Sequence, residues 1–177
     1  MLKKLLYLAL VTGCAAAPPT FQTSDRCVAC HNGVATTSGE DISVGVAWRP
    51  TMMANSGRDP YWQAGVRRET IDHPESRAAI EDECSICHMP MARFESRLGG
   101  HEGVIFAHLG FLADDRGDRL AADGVSCSLC HQVGKEKLGT RESFVGGFVI
   151  GPPNAQGERL EFGPYAPDAG HTRIMRT

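Results

Sequence analysis

Apolar residues in this chain come in short runs separated by polar stretches, and few of the runs have the spacing of a regular element. In GRDPYWQAGVRRETID, residues 57–72, Asp59 is placed to cap a helix with Pro60 at its first position, and Trp62 and Val66 lie one turn apart. His73-Pro74 ends that helix. Pro74 opens a second one, which the pattern carries through ESRAAIEDECSICH and MPM stops at Pro90. HEGVIFAHLGFL, residues 101–112, reads as a helix that puts His101, Ile105, His108 and Leu112 on one face, with Gly103 and Gly110 weakening it. Asp123 is placed to cap a short helix over CSLCH, residues 127–131. SFVGGFVI and RLEFG, separated by GPPNAQGE, read as a small β-hairpin. Residues 15–26 read as a Pro/Thr/Ser linker and residues 32–45 as loop. The fold class predicted is mainly α, with long loops and one hairpin.

For 177 residues, with Gly 20 and Pro 10 and few aromatics, side chains alone supply a thin core. What changes this picture is a pattern that occurs three times: CVACH at Cys27–His31, CSICH at Cys84–His88 and CSLCH at Cys127–His131. The first cysteines stand 57 and 43 residues apart, so this is not a repeat array of fixed period. Of seven cysteines six are in these motifs, and the seventh is Cys14.

Zinc sites use two CxxC pairs or a Cys₂His₂ set, and three pairs do not divide that way. Local disulfides leave the three histidines unexplained. Covalent haem c explains every residue: Cys27 and Cys30, Cys84 and Cys87, and Cys127 and Cys130 bond the porphyrin vinyl groups, while His31, His88 and His131 bind iron. On a helix, cysteines three apart share a face, as one porphyrin edge requires. Three covalent haems would also fill the thin core, much as metals and disulfides staple small domains, giving a haem-cored fold whose haem-free chain is largely unfolded.

The N-terminus fits export, which haem c attachment requires in bacteria. Lys3 and Lys4 precede an apolar run too short to cross a bilayer, and Val11-Thr12-Gly13-Cys14 follows. The stretch resembles a bacterial lipoprotein signal over 1–13, with Cys14 lipidated and 14–26 as tether; the competing reading is ordinary cleavage near CAAAPP, with Cys14 incidental. Acyl chains would hold the protein at a membrane surface, and Ala15, where an aspartate would retain a lipoprotein at the inner membrane, favours periplasm or outer membrane. Loss of the two lysines takes the formal charge from −3 to −5, and propionates add to it, which argues against nucleic acid as a partner. Other redox proteins are the expected partners.

With three proximal histidines assigned, the opposite faces decide between electron carrier and catalyst. The candidates are Met53 or its neighbour Met52, His73, His101, His108 and His171. His101 and His108, if helical, stand about 10 Å apart, which suits two neighbouring haems. His73, in IDHPE, is read as a surface residue; Met89 and Met91, directly after a proximal histidine, are read as packing.

WRPTMMANSGRDPYW, ECSICHMPMAR, DGVSCSLCHQV and FGPYAPDAGH together resemble the multihaem cytochromes c related to the tetrahaem cytochrome of ammonia oxidisers and to hydroxylamine oxidoreductase. The likeness covers Cys27 to His171. It implies a distal histidine five residues after a tryptophan, where Met53 stands after Trp48; a methionine ligand there implies a raised potential, the alternative being that both methionines pack against porphyrin. It also implies His171, after the GP turn, as a distal ligand. Relatives continue into further CxxCH motifs, so residues 27–177 are read as a trihaem domain that is either complete or the N-terminal part of a longer cytochrome, with a slight preference for the latter.

The function expected is outer-sphere electron transfer between redox partners, with no catalytic residue assigned. The alternatives are a haem enzyme acting on a small nitrogen or sulfur species at a five-coordinate iron, and a self-associating or conduit subunit.

Overall fold

The computed structural model describes residues 19–110 and 115–163. Within them the chain is helical and loop-rich: α1 (Ser24–Val28), α2 (Val44–Trp48), α3 (Met52–Asn55), α4 (Pro60–Asp72), α5 (Arg77–His88), α6 (Pro90–Leu98), α7 (Arg116–Ala122), α8 (Cys127–Gln132) and α9 (Arg141–Phe144), with 3₁₀ turns at Pro74–Ser76 and Phe106–His108. Among the described residues β-structure is limited to two isolated bridges, Ala35 with Asp41 and Val133 with Ile150.

The α4–α5 pair forms as the pattern predicts. The Asp59 side chain accepts from the Tyr61 amide at 2.9 Å, Pro60 occupies the first turn, and His73 ends the helix. A 3₁₀ turn opened by Pro74 leads into α5, which carries the second motif to its own C-terminus. Pro90 does more than stop α5: it starts α6, whose Pro90, Met91 and Ala92 are buried. Helices α4, α5 and α6 pack in sequence, and α7 closes on α6.

The core is Phe21, Val66, Met89, Met91, Ala92, Ile105, Leu120, Ala121 and Leu129. Met89 and Met91 are packing residues, as expected, with 1% and 0% exposed. Phe21 meets Phe94 edge-on at 5.3 Å. Phe21 falls in the stretch assigned to the tether, and its surroundings show that the described part of that stretch is docked. The Thr20 amide donates to Glu95 Oε1 at 2.9 Å, Arg116 donates to the Phe21 carbonyl, and Gln22 exchanges two hydrogen bonds with the Ser128 hydroxyl.

Three predicted elements differ. Of the predicted helix, residues 111–112 lie outside the described residues; among those described, 101–105 are irregular and only Phe106–His108 turn, as 3₁₀. The competing force is a pair of carboxylates on α5, one buried and one partly buried: Glu81 Oε2 accepts the Ile105 and Phe106 amides at 2.8 and 3.2 Å, and Asp82 Oδ1 accepts the Gly103 amide at 2.6 Å. These amides are therefore held by side chains rather than by a helical ladder. Gly103 permits the approach, since a Cβ there would lie 2.2 Å from Ser85 Oγ. The hairpin is absent too. Residues 141–144 form α9, and the Asn154 side chain accepts from the Gln156 and Glu158 amides, curling the connection into a loop. Asp123 caps α1 rather than α8, accepting from the Ser24 amide and hydroxyl at 2.8 and 2.6 Å, while the residue before α8 is Ser126.

Among the described residues no helix is long and apolar enough to cross a membrane. The predicted signal over 1–13, Cys14 and His171 lie outside the described residues.

Candidate functional site

All three CxxCH motifs fall on helical turns, in α1 and its C-terminal cap, at the end of α5, and in α8. In each motif the second cysteine is exposed, Cys30, Cys87 and Cys130, while the first, Cys27, Cys84 and Cys127, is partly covered; all six are free thiols. Each motif therefore presents one exposed and one partly covered thiol on a single turn. Among the described residues no three His, Cys, Asp or Glu side chains converge as ligands of a bare ion.

Two of the three motif histidines are oriented by the backbone. His88 Nδ1 lies 2.9 Å from the Ser56 carbonyl, and the Ser56 hydroxyl donates back to the His88 carbonyl at 2.9 Å. His131 Nδ1 lies 2.6 Å from the Phe162 carbonyl. A carbonyl can only accept, so the proton sits on Nδ1 in both rings, and Nε2 of the neutral imidazole keeps its lone pair. That is the tautomer and the fixed ring plane that a metal-ligating histidine has. Trp62 of α4 stacks on His88 with ring centroids 4.1 Å apart and 3° between planes. The Ser56 loop reaches α5 because Gly57 crosses the end of α7 closely; a Cβ there would lie 2.2 Å from the Ala121 carbonyl oxygen. His31 is exposed, and no hydrogen bond to its ring is found among the described residues.

The first and third motifs are neighbours. Helix α1 packs on α8, and the Cys27 and Cys127 thiols are in hydrogen-bonding contact. This contact, then burial and the charges of Cys127, Glu161 and Asp123, raise the Cys27 thiol well above the ordinary range. The same contact lowers Cys127 to about 6, helped by Ser126 and opposed by burial. Partial burial raises the Cys84 thiol, with nearby negative charge adding to it.

Apolar side chains stand uncovered beside each motif. Gly45 of α2 packs on Val28 of the first motif, and its neighbours Val44 and Val46 are 52% and 73% exposed. Gly146 packs on Ile86 of the second, next to Phe144 and Val145 at 73% and 60%. Phe162, which meets His131 of the third, is 48% exposed and Leu160 is 71%. Large apolar groups left out at three places, each beside a motif's two thiols and imidazole, fit a flat apolar ligand at each motif. The residues present thus suit covalently attached porphyrin.

The distal candidates separate. His108 is 17% exposed and its Nδ1 lies 2.9 Å from Asp118 Oδ1, an acceptor that leaves Nε2 free. His101 is exposed, and with residues 101–105 irregular the two histidines do not share a helix face, so the helical spacing between them does not hold. His73 caps α4 at the surface, 59% exposed and 3.9 Å from Glu75. Met52 and Met53 are 87% and 51% exposed, whereas Met89 and Met91 are buried. Met53 is fixed through its backbone, its carbonyl accepting from the Val125 amide just before the third motif at 3.0 Å. Trp48 Nε1 donates to the Val125 carbonyl at 3.3 Å, so this tryptophan anchors the Met53 segment to the same place.

Sequence reasoning did not find Ser56, Phe162 or Asp118 as partners of histidines. The first two act through backbone carbonyls, which carry no side-chain signature. Asp118 is one carboxylate among many along the chain.

Compared with protein-family models, with curated proteins and with solved structures, the chain matches none.

Proposed function

We propose that this chain is an exported, lipid-anchored trihaem c-type cytochrome that transfers electrons between redox partners by an outer-sphere route. The observation that carries the reading is the orientation of His88 and His131. Each holds its Nδ1 proton against a backbone carbonyl and keeps Nε2 free in a motif with one exposed and one partly covered cysteine. Haem c, once attached, supplies a one-electron iron couple whose potential follows its axial ligands and burial. The chain's own residues attach and orient. Cys27, Cys30, Cys84, Cys87, Cys127 and Cys130 are the thioether positions, and His31, His88 and His131 the proximal ligands. Trp62 and the Ser56 carbonyl fix the ring plane of His88.

Of the distal candidates, His108 has the best support, since Asp118 sets its tautomer and position. Met53, half exposed on a backbone-anchored turn, is the second, and His171 completes the set by resemblance. Lipidation at Cys14 would place the protein at a membrane surface, in periplasm or outer membrane. Protein-film voltammetry of the haem-loaded protein tests the function. Reversible one-electron waves that stay unchanged when nitrite, hydroxylamine or sulfite is added are expected. A catalytic current on any of the three would replace electron transfer by catalysis.

A further inference from the structure

Cys27 and Cys127 stand 100 residues apart in the chain, yet their thiols are in contact where α1 packs on α8. The surrounding chain holds them there. Gln22 exchanges two hydrogen bonds with the Ser128 hydroxyl, at 3.1 and 2.7 Å. Ser24 donates twice to Asp123, at 2.8 and 2.6 Å, and Gln132 Nε2 donates to the Thr20 carbonyl at 2.9 Å. These ties run from the residues just ahead of Cys27 to residues on both sides of Cys127. All of them are bonds of the polypeptide to itself.

Two thiols held together can ligate a metal or join as a disulfide. A structural metal site of this kind needs four ligands, and among the described residues no third His, Cys, Asp or Glu side chain converges with the pair. The disulfide needs nothing further from the protein. Both cysteines are free thiols and only partly covered, so an exchange partner can reach them. An unfolded chain would pair cysteines within one motif, because a short loop closes more readily than one of 100 residues. Pairing across motifs is therefore a product of the fold.

We propose that Cys27 and Cys127 form a disulfide in the chain before haem is attached and, resting on the cytochrome reading, that this cross-link gates loading of the first and third motifs together. The oxidant is a disulfide-bearing protein of the export compartment. One cysteine, as thiolate, attacks that disulfide, forms a mixed disulfide and releases one of the partner's two sulfurs as thiolate. The other cysteine then attacks the mixed disulfide and expels the second. The pair loses two electrons and two protons, which the partner takes up as two thiols. One cysteine of each motif is now consumed, so neither motif can make both of its thioether bonds. Cys84 and Cys87 are untouched. A dithiol reductant reverses the exchange and frees both motifs at once.

The test uses the full chain, exported by cells that cannot attach haem c, quenched in acid, blocked with N-ethylmaleimide and mapped by peptide mass. The expected result is a reducible peptide pair joined through Cys27 and Cys127 in most molecules, and absent from Cys127→Ser. Blocked thiols at both positions, or pairing only of Cys27 with Cys30 and Cys127 with Cys130, would overturn the proposal. Cells that attach haem c supply the second measurement. With reductant limiting, chain with one haem at Cys84–His88 and the Cys27–Cys127 link should accumulate, and added dithiol should convert it to the three-haem form. Two-haem chain loaded at the first or third motif alone would overturn the gate. The two readings fail separately. A cross-link in the first cells with no haem in the second would sink the cytochrome and leave the disulfide as a staple; three haems with no cross-link would sink the disulfide alone.

Discussion

The second and first CxxCH motifs share one pattern and are held in opposite ways. His88 is fixed from two directions, by the Ser56 carbonyl on its edge and by the Trp62 ring on its face, at the end of a 12-residue helix that packs between α4 and α6. Ser85, between its cysteines, is fully buried. The first motif sits on a 5-residue helix at the surface, attached through Asp123 to Ser24 and through packing on α8, with His31 exposed. The same Cys-x-x-Cys-His pattern thus stands once against the core and once at its edge. In this molecule the surroundings, more than the motif, decide how rigid a site is.

The largest expected effect breaks the comparison at its root. Replacing Cys84 and Cys87 together by Ala should remove one haem by intact mass and several kcal/mol of stability, on the order of 10 °C in Tm. Replacing Cys27 and Cys30 should also remove one haem, with a visibly smaller fall in Tm. Equal losses would show that burial of α5 does not set the difference.

Trp62→Ala comes next. It should cost roughly 1–3 kcal/mol in thermal unfolding, less than a fully buried Trp loses because Trp62 is only partly covered. It should also broaden or shift one midpoint only, since the described residues put no ring against His31.

Acid should loosen the second region through α5. Burial pushes Glu81 and Asp82 upward, but the Arg77 guanidinium with the Ile105 and Phe106 amides, and the Arg93 guanidinium with the Gly103 amide, outweigh it and hold both below the ordinary carboxylate range. A lowered folded pKa contributes stability that is present above the ordinary values of 4.5 and 3.8 and is lost as the pH falls through the folded ones. Unfolding midpoints measured down through that window should drop, and Glu81→Gln should cost about 1–3 kcal/mol at neutral pH and flatten the drop. A Glu81→Gln profile parallel to wild type would place the acid sensitivity elsewhere.

The smallest effect belongs to the first region. Asp123→Asn weakens the attachment of Ser24 and should cost roughly 1 kcal/mol. Amide exchange should quicken in α1 while α5 is unchanged.

What was legible in the sequence follows from where each signal resides. The α4–α5 pair carries its instructions locally, in Asp59, Pro60 and Pro74, and it forms as read. Residues 101–112 have a helical apolar period, yet Glu81 and Asp82, about 20 residues earlier, claim the amides of 103, 105 and 106. No window over the segment itself could reveal that. Helix α6 was hidden because Pro90 reads equally as the end of one helix and the first turn of the next. Asp123 has capping chemistry, but its partner lies 99 residues away in α1 instead of just ahead in α8. At the candidate site the cysteines and histidines were legible because their spacing is chemical. The groups that orient them are backbone carbonyls and a stacked indole brought in by the fold.

The central claim is that each of the three motifs attaches a haem, and intact mass of the exported protein bears on it most directly. The expected result is the processed polypeptide plus three covalently bound haems, falling to two when any one motif's cysteines are replaced. A mass equal to the polypeptide alone, from cells that mature other c-type cytochromes, would contradict it.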